Sequence, residues 1–284
     1  MTEILNGPSF SRHDNPKKLI FMLHGYGDNA ANFMHLAQPI DQEEWQAAYI
    51  ALNAPGVISG NYMGYQWFDL YPNGIYIAEA GPKEFDQINK EVGESVTKII
   101  NTIDQYCESL KLTYEDCFLM GFSQGGMITF EVGNFIQKKF AGLGILSGRI
   151  MSHKPIENDN LRETPIFISH GELDQVIPVK SYHESTEFLQ QNKCTFESHV
   201  LTRDEHNISP ETITLLQKFI KKTGWSPKEV DVFAGVIDYP KYHFIDKHMI
   251  KFIMWITKGP TDTSQTYEFT NWEEVENFAR DLKL

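Results

Sequence analysis

Between residues 18 and 222 the chain repeats one form: a short apolar run that stops at a turn signal, followed by an amphipathic stretch. Leu19 to Leu23 runs unbroken into His24-Gly25, and "WQAAYIALNAPG" stops at Pro55-Gly56. Runs this short, closed by glycine or proline, read as strands buried on both faces. "DCFLMGFS", "FAGLGILSG", "TPIFISHGELD" and "TFESHVLTRDEH" add four more. Helical patterns lie between them. In "GPKEFDQINKEVGESVTKIINTIDQYCES", Val92, Val96, Ile99, Ile100 and Ile103 recur at spacings of three and four. "GGMITFEVGNFIQKK", "PVKSYHESTEFLQQNK" and "SPETITLLQKFIKK" are helical too, the last with Ser209 as N-cap and Pro210 in its first turn. This alternation predicts an α/β fold: a mostly parallel sheet with helices on both faces. In such sheets chemistry collects at the carboxyl ends of the strands. His24-Gly25-Tyr26-Gly27, Ser123, Asp174 and His206 stand at such ends.

Composition narrows the partners. A net charge of -13 over 284 residues gives no pull toward nucleic-acid phosphates or anionic lipid. Cys107, Cys117 and Cys194 are scattered and show no paired spacing. They suggest neither a zinc site nor a disulfide framework, and they read as buried or idle thiols in a reducing compartment. The N-terminus has no basic start followed by an apolar core, and no run approaches the length of a membrane span. The expected location is cytoplasmic.

"GFSQGG" has the G-x-S-x-G form at Gly121 to Gly125, where a strand-like run gives way to a helix-like one. A serine on that sharp turn has its hydroxyl pushed out of the sheet, and its flanking positions must be small. The helix that follows aims N–H groups at the site, which suits a developing anion. A serine hydroxyl needs a base, and the base needs a carboxylate to orient it. Asp174, four residues past a strand end, and His206, between a strand and the last helix, follow Ser123 in the order such sheets use. Glu172 and Glu205 compete as acids, and His170, His183 and His199 as bases. His199 falls within a strand, His183 within a helix, and His170 reads as a loop-ordering residue. His24 precedes the serine and reads as a brace for its own loop. The N–H groups of Gln124 and Tyr26 are the candidate oxyanion donors.

Together, "LHGYGDNAANF", "GYQWFDL", "GFSQGGM", "SHGELDQVIPV" and "EHNISPE" resemble the phospholipase/carboxylesterase family of α/β-hydrolases, which includes bacterial carboxylesterases and acyl-protein thioesterases. The resemblance covers roughly residues 15 to 222. It implies an α/β-hydrolase fold and a serine hydrolase that needs no cofactor or metal and acts on acyl esters or thioesters. Its substrates would be small esters, lysophospholipids or acylated proteins. It assigns Ser123 as nucleophile, Asp174 as acid and His206 as base, with Tyr26 and Gln124 at the oxyanion. The aromatic-rich loop "GVISGNYMGYQWFDLYPNGIY" is expected to line the acyl groove. Met63 and Tyr65 are its candidate contacts, while Trp67 and Phe68 read as core. Arg149, with His153 nearby, departs from the family pattern, in which an apolar residue follows the strand.

The hydrolase pattern is complete by Lys222, so residues 1–222 form one expected domain and 223–284 another. "AGVIDYPKY", "DKHMIKFIMW", "TKGPTDTS" and "YEFTNWEEVENFAR" resemble the C-terminal third of flavodoxin-like, quinone-dependent protoporphyrinogen dehydrogenases. That second resemblance covers about residues 218 to 284 and implies a partial flavodoxin-like segment. The phosphate loop through which such enzymes hold FMN is missing, so the fragment is not expected to bind flavin. Two readings of the tail stand: a remnant of a join between genes, or an apolar helix around Met249 to Ile256 that docks on a membrane or a partner. For the whole chain, a flavin oxidoreductase and a binding module without activity are the alternatives to an ester hydrolase.

Overall fold

The computed structural model describes residues 3–58, 64–151 and 154–223, and near the C-terminus 236–242, 247, 250, 251, 254, 259–273 and 276. The chain divides into two compact units, Met1–Ser226 and Pro227–Leu284.

The strands of the first unit are β1 (Ser9–Ser11), β2 (Lys18–Leu23), β3 (Ala47–Leu52), β4 (Gly56–Val57), β5 (Tyr65–Gln66), β6 (Cys117–Phe122), β7 (Gly142–Leu146), β8 (Ile166–Gly171) and β9 (Phe196–Leu201). Its α-helices are α1 (Ala30–Phe33), α2 (Ala37–Ile40), α3 (Pro82–Leu110), α4 (Gln124–Phe135), α5 (Asp159–Glu163), α6 (Val179–Gln191) and α7 (Pro210–Lys222). Seven strands form one sheet in the order β1-β3-β2-β6-β7-β8-β9. Every pairing is parallel except that of β1, which runs antiparallel along β3. β4 and β5 pair as a small separate ribbon. All six expected strands are present, in a sheet wound on both faces.

The strands are apolar throughout because both faces of the sheet are covered. β2 makes this plain. Leu19, Phe21 and Leu23 pack into a cluster with Ile99 and Ile103 of α3, Ile128 of α4 and Leu189 of α6. Ile20 and Met22 point the other way, into a cluster with Ala37 and Ile40 of α2 and Leu216, Phe219 and Ile220 of α7. In α3 the apolar stripe is buried at Val96, Ile99 and Ile103, and Gly81 N donates to Glu84 Oε2 at 3.2 Å to close its first turn. Ser209 Oγ accepts from Thr212 N at the start of α7.

α4 is shorter than its sequence pattern. It ends at Phe135, and Ile136 is extended, with φ -84° and ψ 134°. The stop comes from Asn158, whose Nδ2 donates to the carbonyls of Gly133, Asn134 and Ile136 at 3.1, 3.2 and 2.7 Å. A distant side chain thus satisfies the carbonyls that the helix end leaves open.

In the second unit, β10 (Val236–Asp238) pairs antiparallel with β11 (Thr266–Glu268). Tyr239 is fully buried, meets Tyr242 and Tyr267 edge-on, and donates its hydroxyl to Pro260 O at 2.9 Å. Asn271 Oδ1 accepts from Glu273 N at 3.2 Å. Most of the segment around Met249 to Ile256 lies outside the described residues, apart from helical positions at Ile250, Lys251 and Met254. No helix among the described residues is long and apolar enough to cross a membrane.

Candidate active site

Ser123 links the end of β6 to the start of α4 with φ 56° and ψ -118°. A positive φ in a residue other than glycine is strained and persists only where the surroundings hold it. Two backbone bonds hold it here: Ser123 N donates to Leu146 O at 2.8 Å, and Met127 N to Ser123 O at 3.1 Å. The glycines at either side are required by contact. A β-carbon on Gly121 would stand 2.2 Å from the carbonyl of Gly125, and one on Gly125 would stand 2.2 Å from Leu23 O. So β6, α4 and the end of β2 meet backbone to backbone around the serine.

His206 Nε2 is 2.9 Å from Ser123 Oγ, and His206 Nδ1 is 2.7 Å from Asp174 Oδ2. Asp174 comes from the loop after β8, and His206 from the loop after β9. Parallel pairing of β8 with β9 delivers both to the same edge. Crossing bonds then join the loops, Glu172 N to Leu201 O at 2.9 Å and Leu173 N to Asp204 O at 3.0 Å. The Asp174 side chain is wholly buried and the His206 side chain partly so. Asp174 Oδ1 accepts from the N–H groups of Val176 and Ile177, both at 2.8 Å. The carboxylate is thus fixed at both oxygens, and its second oxygen faces the imidazole. The Phe122 ring lies tilted against His206 with ring centroids 4.8 Å apart.

The competing residues lie elsewhere. Glu172 and Glu205 are exposed. His183 is exposed on α6, and His199 bonds Glu197 within β9. His170 is fully buried behind the site, with Nε2 2.7 Å from Ile177 O and 3.3 Å from Asp174 Oδ2. Burial lowers its pKa, so it stays neutral and orders the Asp174 loop without adding charge. No sequence signal marked this closeness to Asp174, which depends on the turn from Gly171 to Ile177.

His24 braces its loop. Ala54 N donates to Nε2 at 3.1 Å, which places the imidazole proton on Nδ1, 2.7 Å from Gly25 O. Burial lowers this pKa as well. Trp67 Nε1 donates to His24 O at 2.9 Å. Next in the chain, Gly25 packs against the nucleophile turn, where a β-carbon would lie 3.3 Å from Phe122 Cδ1 and 3.4 Å from Ser123 Cβ. Gly27 takes φ 80°, its N–H bonds Tyr65 O, and Tyr65 N bonds Asp28 O, both at 2.9 Å. Tyr65 therefore holds the Tyr26 loop through its backbone. Met63 lies outside the described residues, as does His153.

Gln124 has a second task that its position in the motif did not reveal. Its side chain accepts from Trp67 N at 2.9 Å and donates to Phe68 O at 2.8 Å. Trp67 and Phe68 are buried core residues, so this clamp ties the aromatic loop to the start of α4. Among the described residues the backbone N–H groups of Tyr26 and Gln124 have no protein acceptor. Arg149 is half-buried one residue beyond Gly148, where a β-carbon would come within 3.0 Å of Ser123 O. No cluster of three metal-ligating side chains occurs among the described residues. Chemically, the arrangement offers a buried hydroxyl, an imidazole to take its proton, a carboxylate to hold the imidazole, and two unspent N–H donors alongside.

Comparison with known proteins identifies the family. The family model for phospholipases and carboxylesterases matches residues 10–224. Acyl-protein thioesterase 1 homolog 1 of Dictyostelium discoideum is 27% identical over 210 residues, covering 72% of this chain and 89% of that protein. The crystal structure of esterase PE8 superposes with a TM-score of 0.63 at 22% identity, over 78% of this chain and 99% of that one. A protoporphyrinogen IX dehydrogenase (quinone) of Escherichia coli strain K12 is 27% identical over 168 residues, 58% of this chain and 93% of that protein. That stretch is longer than the unit Pro227–Leu284, so the likeness also runs into the first unit. With the family model matching residues 10–224, the chain belongs to the phospholipase/carboxylesterase family, and it is a hydrolase acting on ester bonds.

Proposed function

We propose that the chain hydrolyses acyl esters and thioesters through an acyl-enzyme on Ser123. His206 Nε2 takes the hydroxyl proton as Ser123 Oγ attacks the acyl carbon, then returns it to the leaving alcohol or thiol. Asp174 holds the imidazole in the tautomer whose Nε2 faces the serine, and stabilises the imidazolium that forms. The N–H groups of Tyr26 and Gln124 receive the charge that develops on the carbonyl oxygen. Water, activated by the same imidazole, then releases the acid. The observation that carries this reading is the hydrogen-bond series from Ser123 to His206 to Asp174, at 2.9 and 2.7 Å.

The substrate class in this reading is an acyl ester or thioester: a small ester, a lysophospholipid or an acylated protein thiol. Tyr65 and, from the sequence of the same loop, Met63 are the residues proposed to contact the acyl chain. The C-terminal unit, which we read as a partial flavodoxin-like segment, holds none of the reacting groups. The test is hydrolysis of p-nitrophenyl esters from acetyl to dodecanoyl, and of a palmitoyl thioester, by the full chain and by Ser123→Ala. The full chain should turn over and form a stable adduct with a fluorophosphonate at Ser123. Turnover that survives Ser123→Ala would overturn the assignment.

A further inference from the structure

Cys107 and Cys117 carry no motif in the sequence, yet the fold brings them together. Cys107 stands in the last turn of α3 and Cys117 opens β6, with their Sγ atoms 3.4 Å apart. The two differ in access. Cys107 forms part of the wall of a cavity of about 600 Å³, with Tyr114, Lys138, Lys139 and Asn160 around it. Cys117 is fully buried behind it, with Thr113 O 3.2 Å from its Sγ as an alternative acceptor for its one proton. One thiol can be reached from the cavity, and the second only through the first.

The surroundings separate their chemistry. Lys138 pairs with Asp104 at 3.0 Å on the cavity wall, and its ammonium lies 4.4 Å above the Tyr114 ring. The hydrogen bond between the two sulfurs lowers the Cys107 pKa, to which Lys138 adds, while that bond and burial raise Cys117. Burial, then Asp104 and Asp116, oppose the effect on Cys107 without cancelling it. A more acidic thiol at an opening, backed by a less acidic one, is the arrangement of an attacking and a resolving cysteine.

We propose that Cys107 and Cys117 form a dithiol site that reacts with hydroperoxides. The Cys107 thiolate attacks one peroxide oxygen, the O–O bond breaks, and the leaving oxygen takes a proton and departs as water or alcohol. Cys107 is then a sulfenic acid. Cys117 sulfur attacks the Cys107 sulfur, the S–O bond breaks, and the hydroxyl leaves with the Cys117 proton as water. Two thiols are oxidised to one disulfide, and one hydroperoxide is reduced. The sulfurs must close by about 1.4 Å from their present separation to reach disulfide length, within the reach of side-chain rotation. An external dithiol restores the pair. Cys194, half-buried in the loop before β9, is the third free thiol and supplies an internal control.

The test treats the full chain with hydrogen peroxide, alkylates the remaining thiols under denaturing conditions and maps the peptides by mass spectrometry. The expected result is a fall from three free thiols to one, a linked Cys107–Cys117 peptide, and reversal by dithiothreitol. Cys117→Ser should leave a sulfenic acid on Cys107 that dimedone traps, and Cys107→Ser should abolish both products. If Cys117→Ser does not fold, the linked peptide in the wild-type chain decides alone. The proposal is overturned if Cys194 is consumed while Cys107 and Cys117 remain alkylatable. It is equally overturned if Cys107 goes on to a sulfinic acid without forming the disulfide. Neither outcome depends on ester hydrolysis.

Discussion

Gly125→Ala should disable the site from inside the backbone, without touching a reacting group. The added methyl would lie 2.2 Å from Leu23 O and 2.6 Å from His24 O. Side-chain β-carbons keep at least 3.0 Å from such atoms, so the end of β2 and the start of α4 must part by about 0.8 Å in a packed interior that resists it. That motion carries His24 and Gly25 with it, and so displaces the Tyr26 N–H relative to Ser123. A misplacement near 1 Å in a preorganised site costs about 100-fold in rate, so kcat/KM should fall by about that factor. The overpacking itself should cost about 1–3 kcal/mol of stability. The assay is p-nitrophenyl butyrate hydrolysis alongside a urea melt. Gly93→Ala, in the middle of α3 with nothing within 4 Å of the new methyl, is the control. It should keep full activity and gain about 0.5–1 kcal/mol from helix propensity. The reasoning is refuted if folded Gly125→Ala hydrolyses ester within about twofold of wild type, since the backbone would then have yielded without moving the donors.

Other perturbations read other parts of the molecule. Asp174→Asn should lower kcat by about 10⁴-fold with little change in far-UV circular dichroism, because the amide cannot hold the imidazole in its working tautomer. A chain ending at Ser226 should keep kcat/KM within about threefold, as all reacting groups lie in the first compact unit; a steady-state assay of the truncated chain checks this. Glu131, on α4, has its pKa raised to about 7 by burial, and its Oε1 lacks a partner. A carboxyl whose folded pKa is raised holds its proton in the folded state, and its burial costs stability as pH climbs from 4.5 to 7. Glu131→Gln should therefore stabilise the chain more at pH 8 than at pH 5, by up to about 3 kcal/mol, as read from paired urea midpoints.

Much of the sheet could be read from the chain because a strand covered on both faces has no polar alternation to obscure it. Leu19 to Leu23 shows this: five consecutive apolar residues serve two cores in turn. β1 was missed because "SFS" is three residues long, on an edge, with only Phe10 turned inward. The ribbon of β4 and β5 was missed because two residues a side carry no periodicity. The premature end of α4 could not be seen because Asn158, which terminates it, lies over twenty residues away.

The nucleophile turn was legible for a local reason. Gly121 and Ser123 are constrained within one strand-to-helix junction, Gly125 by the end of β2 that such a turn always meets, and these sterics leave a pattern in sequence. The order of Asp174 and His206 after Ser123 was also legible, as the two loops that follow successive parallel strands. What the sequence determined by itself was therefore the alternation of elements, the turn, and the candidate reacting residues. Only the tertiary structure decided that His170 lies behind Asp174, that the Gln124 side chain clamps Trp67 and Phe68, and that Cys107 faces Cys117. Each of these depends on how far one element is slid and rotated against another. That is set by the packing of the whole core, and no short window of residues encodes it.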